Sequence, residues 1–587
     1  MMEQLSQDVK TRLENWLTSD AFDGETKAEL QGLIDAKSWK EITNRFYKEM
    51  AFGTGGLRGV VGAGSAYMNI YNIRKATTAF CYYLKKAFPN ENLKVAISYD
   101  SRNFSKEFAQ ASAEICAYRG VEAYITKELR PVPMLSYMVR HFKCHGGFCI
   151  TASHNPPEYN GFKVYWNYGG QIVPPHDKNI IETYNSLNDY SEFKFMPFEQ
   201  GLKENKIHYV GEEFDQKYFE QVKSLSFGGK TADLKVVYTP LHGTGAYPVE
   251  TCLRQIGFED VSVVTSQKEP DGNFPTVKSP NPEDPSALKI ALEQADETNA
   301  DLVMATDPDS DRIGIGVRDQ SGKMWLPNGN QIACLLTDYV LRRSKEHDKL
   351  KGAYTIKTIV TTELVRKISL HYGVEVLETL TGFKWICGLS ESLSHSDPDK
   401  VYLCGGEESY GFLMGNFVRD KDGVSACAIA AEMVSFYKSL GKTLDQVLDE
   451  IYLQHGYFVE KLVSVTKKGQ EGAQEISSMM EAWRSCPPTE IAGIKVNMLL
   501  DYQKQKSFKR EKSEFIQGDT LDLPVSNVLQ FKLEDNSLIS VRPSGTEPKI
   551  KFYFSIQQTC SDAGSLKQSK LACKEKLAKI ESSFVNS

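Results

Sequence analysis

Leu302-Val303-Met304-Ala305-Thr306-Asp307-Pro308-Asp309-Ser310-Asp311-Arg312 is the stretch from which the rest of the chain can be read. Leu302–Ala305 is a short apolar run without alternation, the pattern of a strand covered on both faces. A turn follows at once, with carboxylates at 307, 309 and 311. Three anions converging at the end of a buried strand repel one another unless a cation lies between them, so the spacing points to a hard divalent metal. An EF-hand also opens with alternate aspartates, but it needs Gly at its sixth position and Glu at its twelfth, where this chain has Arg312 and Arg318. Few protein ligands leave room for water or a phosphate oxygen, which suits Mg²⁺. A solvated acidic turn is the competing reading, and its place directly after an apolar strand counts against it.

Outward from this stretch, similar short runs recur at Val95–Tyr99, Phe148–Thr151, Val236–Tyr238 and Val261–Val264, separated by helix-period segments. That alternation predicts an α/β architecture with ligands at the ends of strands. Leu5, Val9, Leu13, Trp16 and Leu17, then Leu30, Leu33 and Ile34, predict a helical arm before it. Five prolines between 266 and 287 predict an ordered loop or a hinge, and Thr443 an N-cap. From Phe458 the alternation Phe458-Val459-Glu460-Lys461-Leu462-Val463 predicts a more antiparallel region, with a hinge near 455–470.

The 587 residues allow about four domains. At 41% hydrophobic, 25% charged and a net charge of −7, the composition is that of a soluble globular protein and disfavours nucleic acid as the main partner. No run approaches a membrane span, and the acidic, polar start does not read as a signal peptide. Twelve scattered cysteines without a Cys-x-x-Cys pair read as reduced thiols, hence a cytoplasmic expectation. P-loop, nucleophile-elbow and H-E-x-x-H motifs are missing.

Three further segments carry chemistry. Thr151-Ala152-Ser153-His154-Asn155-Pro156-Pro157-Glu158-Tyr159-Asn160-Gly161-Phe162-Lys163 puts a hydroxyl beside an imidazole at a strand end. Ser153 is suited to accept and pass on a group, with His154 or Lys163 moving protons; an Asx-type turn is the plainer reading. Arg542-Pro543-Ser544-Gly545-Thr546-Glu547-Pro548-Lys549 has the composition of a phosphate cradle or of a surface turn. Gly405-Gly406-Glu407-Glu408-Ser409-Tyr410-Gly411 sets Glu407 and Ser409 two apart, as vicinal hydroxyls require. Arg58, in Gly53-Thr54-Gly55-Gly56-Leu57-Arg58-Gly59, and Lys384, in Thr381–Trp385, are by themselves ordinary cations.

Together and in this order, the four motifs resemble the α-D-phosphohexomutases over about residues 40 to 560, and the length is most similar to the longer bacterial members. The resemblance implies three related α/β domains and a C-terminal α+β domain around one cleft. The corresponding expectation is an arm over 1–45 and domains over 46–210, 211–325, 326–455 and 456–587. It implies an intramolecular phosphotransferase carrying phosphate on Ser153. Asp307, Asp309 and Asp311 would hold Mg²⁺ with a phosphoserine oxygen, and glucose 1,6-bisphosphate would be intermediate and activator. Glu407 and Ser409 would hold sugar hydroxyls; Arg542, Ser544, Gly545 and Thr546 the non-reacting phosphate; Arg58, Arg312 and Lys384 further contacts. His154 and Lys163 match proton-transfer positions. Partners would be small sugar phosphates, with no nucleic acid and no membrane, and glucose is preferred to mannose or ribose only by similarity. A metal-dependent phosphatase or a non-catalytic sugar-phosphate sensor are the competing functions; the intact Ser153 and aspartates speak against the sensor.

Overall fold

The computed structural model describes residues 4–467, 469–512, 514–544 and 549–585. The arm is three helices, Gln7–Thr18, Gly24–Asp35 and Trp39–Phe46. Ser6 and Asp23 cap the first two by accepting from backbone N–H groups that a helix start leaves unpaired. Trp16 stacks on Phe22 at 4.2 Å and meets Tyr71 and Tyr190 edge-on, which seats the arm on the body.

The first sheet has six strands, in the order Gly56–Val60, Tyr159–Trp166, Gly146–Ile150, Lys94–Tyr99, Glu122–Thr126 and Ile207–Val210. The last four are mutually parallel and the first two antiparallel. The second sheet runs Met324–Trp325, Ile313–Arg318, Leu302–Thr306, Val236–Thr239, Val261–Val263. The third runs Glu375–Thr379, Ala353–Thr358, Val401–Glu407, Gly411–Met414. Every residue of Gly146–Ile150, Val236–Thr239 and Leu302–Thr306 is buried, as apolar strands between crossover helices must be. The antiparallel additions were not legible as strands. Lys163, a proton-transfer candidate from sequence, lies on Tyr159–Trp166, paired with Cys149 and Gly56.

One apolar cluster runs through all three sheets, and helix Gly423–Ser439 is buried along almost its whole length within it. Asp422 starts that helix by accepting from Val424 and Ser425 N–H. The C-terminal sheet is antiparallel, from Tyr457–Thr466 through Lys549–Gln558 to Glu514–Thr520, under helices Gly469–Ser485 and Ala563–Val585. It has a core of its own and meets the third unit both through Phe458 and Leu566, which join the large cluster, and through a small cluster of Ile359, Val360 and Leu380 against Leu500, Tyr502 and Tyr553. No helix among the described residues is long and apolar enough to cross a membrane.

Candidate active site

The turn after Gly146–Ile150 folds on itself. Thr151 N–H donates to the Gly161 carbonyl and Ser153 N–H to Thr151 Oγ1. Ser153 takes φ +53°, a left-handed conformation that a side chain adopts only when its surroundings enforce it. Arg102 supplies that enforcement. Its guanidinium donates to the carbonyls of Ser153 (2.5 Å), Pro156 (2.8 Å), Tyr159 (2.9 Å) and Asn155. Asp100 faces it at 3.4 Å, and both side chains are fully buried. Sequence reading missed Arg102, whose only signal was its place immediately after the strand Lys94–Tyr99.

Ser153 Oγ donates to Asp307 Oδ2 at 2.7 Å and lies 3.1 Å from His154 Nδ1. Thr151 Oγ1 donates to Asp309 Oδ2, which also receives Lys163 Nζ at 2.7 Å. Lys163 reaches Asp311 Oδ2 at 3.0 Å, and Lys421 reaches the same oxygen at 3.2 Å. The three aspartates are wholly buried, with one carboxylate oxygen of each within 4.8 Å of the others. Asp309 Oδ1 and Asp311 Oδ1 accept no hydrogen bond among the described residues. Two buried carboxylate oxygens left without donors, in a cluster of three aspartates, give an oxygen-ligand set that fits a hard divalent cation.

The electrostatics follow from this crowding. Burial, reinforced by Asp309 and Asp311, pushes the Asp307 carboxyl well above its usual range. Burial acts on Asp311 in the same direction, but Lys163, Lys421 and Arg312 together hold it well below. Burial and the neighbouring Arg312 and Arg58 drive His154 well below an ordinary histidine.

Next to this cluster opens a cavity of about 510 Å³. Arg58, His154, Arg312, Glu407, Ser409 and Arg542 line it, so the structure brings residues of all four motifs and the glycine loop to one space. Arg312 is fixed there by an ion pair with Glu283 and by donating to the Ser409 carbonyl at 3.0 Å. Glu407 Oε1 accepts from Gly382 N–H at 2.8 Å. Lys163 is not on the cavity wall; it is turned toward the aspartates. Lys384 is not there either: its Nζ donates to the Thr54 carbonyl at 3.2 Å and lies over the Trp385 ring. Ser544 N–H donates to the Lys549 carbonyl, while Gly545 and Thr546 lie outside the described residues.

Other cavity residues escaped the sequence reading. Glu283 sits in the proline-rich segment, Glu408 in the sugar motif itself, and Glu460 and Lys551 on C-terminal strands. Burial pushes Glu408 up to about 7, with Glu407 adding to it, and burial pushes Glu460 up to about 7 as well. Lys421 belongs to Arg419-Asp420-Lys421-Asp422, a charge run of the kind usually found on a solvated face; here all four residues are buried.

Models of the phosphoglucomutase/phosphomannomutase α/β/α domains I, II and III match residues 49–191, 216–322 and 328–455. A phosphoglucomutase of Staphylococcus haemolyticus (strain JCSC1435) is 36% identical over 512 residues, covering 87% of this chain and 91% of its own. One from Staphylococcus aureus (strain MRSA252) is 36% identical over 523 residues, covering 89% and 92%. Among solved structures, the open form of Paramecium pp63/parafusin, a phosphoglucomutase, superposes with a TM-score of 0.64 at 16% identity, covering 91% of this chain and 96% of its own. A phosphoglucomutase/phosphomannomutase family protein from Burkholderia thailandensis gives 0.62 at 17% identity, covering 90% and 97%. These two likenesses concern the fold.

Proposed function

Because the chain belongs to the phosphoglucomutase/phosphomannomutase family, a family of isomerising enzymes, we propose that it interconverts α-D-glucose 1-phosphate and glucose 6-phosphate through phosphoserine 153 and glucose 1,6-bisphosphate. The observation carrying this reading is the Ser153 hydroxyl, held between Asp307 Oδ2 and His154 Nδ1 beside a cavity lined by arginines and glutamates.

In this reading Asp307, Asp309 and Asp311 hold Mg²⁺ together with an oxygen on Ser153. When bound, the ion supplies positive charge against the phosphoryl group in transfer. Arg542 binds the non-reacting phosphate, and Glu407 and Ser409 orient the sugar hydroxyls. His154 takes the proton of the attacking hydroxyl. Its ring both touches Ser153 Oγ and faces the cavity, whereas Lys163 is committed to two carboxylates. Phosphoryl transfer depends mainly on such positioning. The bisphosphate must then turn end for end, so one cavity must accept the sugar in two orientations.

The units we assign are an arm over 1–45 and domains over 46–210, 211–325, 326–455 and 456–587. The separate core of the last one supports movement about 455–470 that would shut water out during transfer. The cysteines, all free, support a cytoplasmic setting. Steady-state rates on glucose 1-phosphate, mannose 1-phosphate and ribose 1-phosphate, with and without bisphosphate, test the function. Isomerisation fastest on glucose 1-phosphate is the expected result. Release of inorganic phosphate without isomer would mean a phosphatase, and faster isomerisation of ribose or mannose phosphate would reassign the substrate.

A further inference from the structure

A second cavity lies away from the cleft, where the arm meets the first α/β unit. It encloses about 150 Å³, and its polar lining is Arg12, Asn15, Glu49, Lys75, Asn188 and Tyr190. Lys75, on helix Ile70–Ala87, is 3% exposed. Among the described residues its ammonium makes no hydrogen bond and no ion pair within 4 Å; it rests over the rings of Tyr184 at 4.5 Å and Tyr190 at 5.9 Å. An ammonium carries three donors, and burying one without an acceptor is costly. Burial accordingly depresses its basicity, with Glu49 partly opposing the shift.

Glu49 does not satisfy Lys75, because its carboxylate is engaged elsewhere. It accepts from the Tyr190 hydroxyl at 3.2 Å and faces Arg12 Nε at 3.7 Å. Two cations and one carboxylate leave the cavity with a net positive charge. Asn15 and Asn188 at its edge are exposed, so the space is reachable from solvent.

We propose that this cavity binds a small oxyanion, a phosphate or carboxylate group, between Lys75 and Arg12. About 150 Å³ is several times the roughly 30 Å³ share of one water, which leaves room for such a group and its hydration. Arg12 belongs to the arm helix Gln7–Thr18 and Lys75 to the body, so the anion bridges the two and favours the docked arm.

The test uses the full-length chain carrying Arg542→Ala, which removes the cleft's principal phosphate contact. Inorganic phosphate and acetate are each titrated by calorimetry into this protein and into the same protein with Lys75→Met added. The expected result is single-site binding of at least one anion, weakened tenfold or more by Lys75→Met, with a melting temperature that rises on anion addition only when Lys75 is present. Binding of phosphate alone assigns a tetrahedral group; binding of acetate as well assigns carboxylates. Asn188→Trp, an exposed substitution that fills the mouth, should produce the same loss and serves if Lys75→Met does not fold. Affinity unchanged by these substitutions, or no binding of either anion, overturns the proposal.

Discussion

Ser153 Oγ and Asp307 Oδ2 lie 2.7 Å apart although 154 positions of chain separate them. Each ends a buried strand in a different sheet, Gly146–Ile150 in the first and Leu302–Thr306 in the second. The contact joins a hydroxyl that can carry a phosphoryl group to a carboxylate cluster suited to a cation. The assigned chemistry depends on that juxtaposition.

Ser153→Ala removes the proposed carrier and leaves the Arg102-held loop carbonyls in place. Turnover of glucose 1-phosphate should fall on the order of 10⁴-fold or more with the melting temperature nearly unchanged. Activity near that of the parent protein in a coupled assay would exclude Ser153 as carrier.

Asp309→Asn removes one negative charge from the buried cluster and weakens the partner of Lys163. The Mg²⁺ concentration giving half-maximal rate should rise by about tenfold or more. A magnesium titration superimposable on that of the parent would count against these aspartates as the metal site.

Arg102→Met takes away donors to four loop carbonyls and leaves Asp100 buried without its charge partner. Stability should drop by about 3–5 kcal/mol, the usual cost of breaking a buried pair. Arg102 is a positioning residue, so kcat should also fall, by about 10²-fold, with a much smaller change in KM. A variant that melts earlier but keeps its kcat would restrict Arg102 to a structural role.

Arg542→Ala should act chiefly on binding. Losing a guanidinium contact to phosphate raises KM by about tenfold to a hundredfold, with a lesser effect on kcat. Initial-rate measurements over a wide range of glucose 1-phosphate separate the two, and an unaltered KM would move the phosphate contact elsewhere.

Glu460 makes a prediction about pH. Burial raises its carboxyl to about 7, with Thr362 and Ser555 partly opposing, while an unfolded glutamate titrates near 4.3. The folded state therefore holds the proton more tightly. The resulting stabilisation is complete below about pH 4 and is lost as pH rises through 7. Glu460 also lines the cavity and is not sealed from water, so the effect is about 1–2 kcal/mol rather than the full value of the shift. Glu460→Gln should be more stable than the parent at pH 8 and show little difference at pH 4.5. Parallel melting curves for the two proteins across that range would refute the assignment.

The acidic strand end, the Ser-His turn, the Glu-x-Ser pair and the Arg-Pro-Ser segment could each be read along the chain, because every one is a local pattern whose residue types follow an apolar run or a turn. Arg102, Glu283 and Lys421 could not be read this way. Arg102 acts on carbonyls more than 50 positions away, Glu283 acts on Arg312 at 29, and Lys421 meets Asp311 across the boundary between two sheets. Their side chains are those of ordinary surface residues until packing removes the water around them. Lys384 shows the converse: its motif was legible, yet packing sets its ammonium on the Thr54 carbonyl.

Sequence by itself determined the α/β class, the antiparallel change after residue 457 and the residue types able to carry phosphate, cation and sugar, since these depend on periodicity and on chemistry within a few positions. Tertiary structure alone decided which of those groups meet, which face the 510 Å³ cavity and which buried charges lack or gain partners. Distances between loops on separate sheets, and the loss of solvent that shifts His154, Asp307 and Glu460, arise only when the cores close around them.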